Sequence, residues 1–127
     1  LARVMLLRGQ HDQPQRATLH LADALVAGEG DGPLRSDPRP IGILLGSLNA
    51  AALDWVAAWL IGLDPARIPI TVHAFGHHEL PLVQYATTAI SAVVNGQPQP
   101  LAALPTVEPP FTVPAGWRGH CERVQAT

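Results

Sequence analysis

The chain has 127 residues, 47% of them hydrophobic, with a mean hydropathy of +0.15 and a formal charge of −2, so it is neither disordered nor larger than one domain with a modest core. All eight basic residues are arginine, which excludes Schiff-base and pyridoxal-phosphate chemistry on a lysine and a Walker-type phosphate loop. Scattered arginines with only three Trp, two Phe and one Tyr predict no nucleic-acid partner, and the lack of an apolar run near 20 residues predicts no membrane partner.

In chain order, Arg3 to Arg8 reads as a short strand or the end of a helix, and Gly9 to Arg16 as a polar surface loop. The stretch Leu1 to Leu7 is too short and too poorly flanked for a secretory signal. Thr18 to Ala27 alternates Leu19, Leu21, Leu25 and Val26 with smaller residues and predicts a strand, interrupted by Asp23. Next comes Gly28-Glu29-Gly30-Asp31-Gly32-Pro33, whose alternate glycines allow positive φ and close backbone approach. It is not a dinucleotide fingerprint, because two carboxylates stand where a pyrophosphate would want none. Asp23, Glu29 and Asp31 fall within nine residues and suit a divalent cation, unless the segment is a tight turn with solvated acids. Leu34 to Pro40 continues as loop, with Arg35 and Arg39 able to neutralise these acids.

Ile41, Ile43, Leu44 and Leu45 then form a nearly continuous apolar run, the pattern of a strand covered on both faces in a parallel or mixed sheet. Ser47 and Asn49 offer side-chain oxygens to a helix start, and Gly62 is its stop, which predicts a helix from about Asn49 to Ile61. Its surface is apolar almost all round, so Trp55 and Trp59 are expected under another element or a second subunit. Asp54 is the one ionisable residue there. A buried carboxylate needs donors, which makes Asp54 a support for the glycine segment or, failing that, a catalytic or metal-binding group.

Ala66 to Phe75 predicts a second short helix, broken near Pro69 and Gly76. His73, His77 and His78 lie close in sequence, but Gly76 argues against one helical face and no HExxH motif is present. Ala89 to Val94, closed by Asn95-Gly96, is a third strand. From residue 97 to 127 prolines crowd the chain, predicting an extended tail whose apolar residues lie over the domain, against the side bearing Trp55 and Trp59. His120-Cys121 is a poor dyad, since adjacent side chains rarely face each other. A lone cysteine holds no iron-sulfur cluster within the chain and makes no intrachain disulfide, so the cytoplasm is the expected compartment.

These elements predict an α/β fold: a small, mostly parallel or mixed sheet with covering helices and a long proline-rich tail, in a single domain over residues 1–127. Three strands are few for such a sheet, so an upstream part of the same domain is an expected partner, as is a homo-oligomer.

The segments DALVAGEGDGP (Asp23 to Pro33) and PIGILLGSLNAAALDWVAAWLIGLDPARIP (Pro40 to Pro69) resemble the C-terminal part of the DUF362 family, which is largely uncharacterised. The likeness covers Leu19 to Ile70 and, more loosely, the AVVNG strand and the tail. It implies that Asp23, Glu29, Gly30, Gly32 and Pro33 form a functional loop supported by Asp54. Asn49 stands near where the family often has an aspartate, which weakens metal binding at that position. The ferredoxin-like cysteine segments of many members are missing from this chain.

Two functions follow. In one, an enzyme domain holds a divalent cation or a small polar ligand, with Glu29 and Asp31 catalytic, Asp23, Glu29 and Asp31 as metal ligands, and Arg35 or Arg39 clamping an anion. In the other, a non-catalytic binding or oligomerisation module uses its apolar surface, and the acids only shape the loop. An iron-sulfur-associated redox role rests on the family alone.

Overall fold

The computed structural model describes residues 16–79 and 81–124. The readings for Arg3 to Arg8 and for most of Gly9 to Arg16 lie outside these residues. The elements are strands β1 (His20–Asp31) and β2 (Arg35–Ser47), helices α1 (Ala50–Leu60) and α2 (Pro69–Ala74), and strands β3 (Ser91–Val94) and β4 (Gln97–Pro100). Short 3-10 turns lie between and after them.

The expected parallel or mixed sheet is overturned: the described strands form two separate antiparallel pairs, β1 with β2 and β3 with β4. The reason is connection length. Only Gly32, Pro33 and Leu34 separate β1 from β2, whereas a parallel crossover takes a dozen or more residues. The hairpin is long, registering His20 with Ser47 and Asp31 with Arg35. Midway, Ile41 and Gly42 together oppose Leu25, and Gly42 takes φ +70°, as a bulge with an extra residue requires. Three stretches expected to be irregular are therefore strand; the first, Gly28 to Asp31, read as part of a loop, closes β1. Pro38 and Pro40 lie inside β2, and Pro98 and Pro100 inside β4, positions tolerated where the missing N–H would point away from the partner. Asn95 and Gly96, at φ 50° and 82°, make the two-residue turn that pairs Val94 with Gln97.

Helix α1 begins where its caps are. The Asn49 side chain accepts from Ala52 N–H at 3.0 Å and donates to the Leu82 carbonyl at 2.8 Å, while Ser47 Oγ accepts from Asn49 N–H. It ends at Gly62, whose φ of +88° no side chain adopts cheaply. Trp55 is buried edge-on against Phe75, with ring centroids 5.1 Å apart. Trp59 lies under the Arg123 guanidinium, 4.1 Å from its ring.

The tail packs over the end of α1. Three carbonyls that the helix leaves without partners, those of Leu60, Ile61 and Gly62, accept from the amides of Val107, Phe111 and Arg123 at 2.8–3.1 Å. Val113 and Cys121 complete a core cluster with Ala58, Leu63 and Ile68. Burying one such aliphatic side chain stabilises by about 1.5–3 kcal/mol, so this irregular segment is part of the core.

One face of the β1–β2 hairpin meets α1, with Ile41, Ile43 and Leu45 half-buried. On the other, Leu21, Leu25 and Leu44 keep 75%, 50% and 68% of their exposure. The apolar run of β2 is thus covered on one side only, not on both as its pattern predicts.

Candidate functional site

Glu29 and Asp31 stand at the tip of the hairpin, and the tail binds them. Glu29 Oε2 accepts from the Thr112 amide at 2.9 Å and from Arg39 Nη1 at 3.0 Å. The Gly30 amide donates to the Thr112 carbonyl at 2.8 Å, and Asp31 Oδ1 accepts from the Ala115 amide at 2.9 Å. Arg39 also donates to the Pro109 and Pro110 carbonyls and lies 4.6 Å from the Phe111 ring. The cluster therefore grips one stretch of extended backbone, residues 109 to 115, mostly through main-chain groups.

The electrostatics follow from these contacts. The Thr112 amide, aided by Arg39 and opposed by partial burial, holds the Glu29 carboxyl below its ordinary value. A carboxylate so bound is a hydrogen-bond acceptor kept ionised, the opposite of a base tuned towards neutrality.

The other nominated residues lie apart. Asp23 is six strand positions from Glu29, about 20 Å along an extended chain. Its Oδ1 accepts from the nearby Leu25 amide at 2.9 Å. Among the described residues no group of three or more His, Cys, Asp or Glu is placed to hold a metal ion. Asp54 is exposed on α1 instead of buried against the glycine segment, because the apolar surface of the helix is interrupted by a solvent-facing stripe. Arg35 is exposed and registers with Asp31 across the hairpin. Gly30, at φ +79°, and Gly32, whose amide donates to the Gly30 carbonyl at 2.9 Å, shape the turn. Asn49 caps α1. Of the two arginines expected to neutralise these acids, Arg39 does so at Glu29; residues 109–115 are what sequence reasoning missed, since nothing local announces a partner that distant.

Two other reactive-looking groups serve structure. His78 Nε2 lies 2.7 Å from the His73 carbonyl and closes the end of α2, with the two rings edge-on. Cys121 is 2% exposed, and burial pushes its thiol up from its usual range, leaving little nucleophilic thiolate.

A cavity of about 820 Å³ lies elsewhere, between the two hairpins. Every residue from Gly42 to Ser47 lines one wall, every residue from Ala89 to Asn95 the other, and α1 contributes Ala52, Leu53, Val56 and Leu60. No Asp, Glu, Arg or His lines it.

No family model and no solved structure matches the chain. A stretch of 51 residues, 40% of the chain, is 45% identical to the thylakoid-associated protein sll1697 of Synechocystis sp. (strain ATCC 27184 / PCC 6803 / Kazusa). That stretch spans 16% of the relative's length. No helix among the described residues is long and apolar enough to cross a membrane.

Proposed function

We propose that the chain is a non-catalytic assembly module, which adds sheet and helix to a larger body and associates through its apolar surface. The observation that carries this is the open face of the hairpin, where Leu21, Leu25 and Leu44 are half to three-quarters exposed. Asp23 lies among these leucines, opposite Leu44, and an exposed apolar patch rimmed by a polar group of that kind marks an interaction site. Two two-stranded sheets are also marginal alone, which favours further strands from a partner. Glu29, Asp31 and Arg39 then act as internal fasteners that hold the tail and leave the open face free. On this reading the chain is part of a DUF362-like domain and associates both with further copies of itself and with the remainder of that body. The buried, unpaired Cys121 suits a reducing compartment such as the cytoplasm. The relative's name associates it with the thylakoid.

The test is light scattering over roughly a hundredfold dilution series, on the chain and on a Leu21→Lys/Leu44→Lys variant. The expected result is self-association that grows with concentration and disappears in the variant, whose circular dichroism is unchanged. A chain that stays monomeric throughout refutes the module.

A further inference from the structure

Resting on the assembly reading, the geometry points to a place for the partner and to its form: the cavity between β2 and β3 receives one extended, uncharged, apolar strand from polypeptide outside these 127 residues.

The first argument is the shape of the walls. A strand that turns one face to a cavity contributes every second residue, yet here 42 to 47 and 89 to 95 line it without a break. Both strands therefore present their backbone edges.

The second is which backbone groups point there. In a two-residue hairpin the residues beside the turn, Val94 and Gln97, exchange their bonds inward. Alternation then turns the N–H and C=O groups of Ser91 and Val93 outward. On β1 the Gly30 amide points away from β2, towards Thr112. Counting by twos along the ladder, the outward positions of β2 are Pro38 and Pro40 and, past the bulge, Ile43 and Leu45. No backbone bond ties Ile43, Leu45, Ser91 or Val93 to another described segment outside its own hairpin.

The third is the guarding of the edge of β4 and of the far half of β2, which the two cavity-facing stretches lack. The outward positions of β4 are Pro98 and Pro100, which have no N–H to offer, and Pro38 and Pro40 do the same for the far half of β2. The outer edge of β1 is covered by the tail at Gly30. The two stretches facing the cavity lack proline, charge and cover. The lining admits no charged occupant without stranding its charge, so the inserted strand is apolar, and β-branched residues fit it best. Its main chain bonds Ile43 and Leu45 on one side and Ser91 and Val93 on the other, joining the two hairpins into one sheet.

The test adds a capped hexapeptide of alternating valine and threonine to the intact chain and follows amide hydrogen exchange by NMR. The control is the same peptide N-methylated at alternate amides, which keeps the side chains and loses the donors. The expected result is a roughly tenfold or greater slowing at Ser91 and Val93 with the first peptide only, lost in Val93→Pro. Unchanged exchange, or equal protection by the methylated peptide, overturns the strand. Protection that grows with protein concentration in the absence of peptide also overturns it, by making a second copy the occupant. Association through Leu21 and Leu44 with Ser91 and Val93 unprotected by the peptide defeats this inference and leaves the assembly module standing.

Discussion

Replacing Glu29 separates a fastener from a catalytic or metal-binding acid. Its carboxylate accepts the Thr112 amide at 2.9 Å and Arg39 at 3.0 Å, with 22% of its side chain and 14% of that of Arg39 exposed. Bonds to a charged partner are worth about 1.5–3 kcal/mol when buried, and surface ion pairs about 0–1 kcal/mol. This pair lies between those limits. In Glu29→Gln the amide oxygen still accepts from Thr112 while the charge facing Arg39 is gone, so the expected loss is about 1 kcal/mol. Glu29→Ala loses both bonds and is expected to cost about 2 kcal/mol. Each 1 kcal/mol lowers Tm by about 3–5 °C in a chain of this size, which thermal unfolding followed by circular dichroism resolves. The pH dependence has a definite sign. Because the folded carboxyl sits below its ordinary value of 4.5, its contribution is complete above that value and is lost as pH falls through the folded one. Wild type and Glu29→Gln therefore differ at neutral pH and converge in acid. The reasoning is refuted if the variant unfolds like wild type at neutral pH. It is refuted equally if Mg²⁺, Mn²⁺ or Zn²⁺ raises the Tm of wild type and not of the variant.

Three further substitutions probe the frame. Gly62→Ala puts a Cβ 2.6 Å from that of Pro110 at a φ of +88°, so a loss of about 3 kcal/mol in denaturant unfolding is expected, against near neutrality if tail and helix end were loosely joined. Asn49→Ala removes the Ala52 cap and the bond to Leu82, with an expected loss of about 1–2 kcal/mol by the same measurement. Asp54→Ala, on the exposed side of α1, is expected to change stability by less than about 0.5 kcal/mol, and a loss several times larger would restore its role as a buried support.

Helix α1 was legible because its signals are local: Asn49 caps it, Gly62 stops it, and the apolar surface between them demands cover for Trp55 and Trp59. The pairing of β2 was not. Its run from Ile41 to Leu45 has the pattern of a strand covered twice, and the described residues cover it once. Pro38, Pro40, Pro98 and Pro100 read as loop because proline is penalised in strands, yet the penalty vanishes where the missing N–H would face outward. Glu29 and Asp31 were legible as neighbours, since adjacent positions on a hairpin tip stay together. Asp23 was misgrouped with them because closeness in sequence becomes about 20 Å along a strand. Their partners at Thr112 and Ala115 lie 83 and 84 residues away, beyond the reach of periodicity.

That span governs when the protein can become itself. Joining Thr112 to Glu29 closes a loop of most of the chain, and such contacts are slow because their entropy is lost before they return any energy. A chain emerging from the ribosome forms the first hairpin and α1 early, with Arg39 already beside Glu29, but it has no mate for the Gly30 amide or for the last carbonyls of α1 until residues 107 to 123 arrive. Until then those groups bond only to water. The stretch whose prolines suggest a dispensable linker is the one on which completion of the fold waits, so a truncation before residue 107 removes the closing step along with the tail.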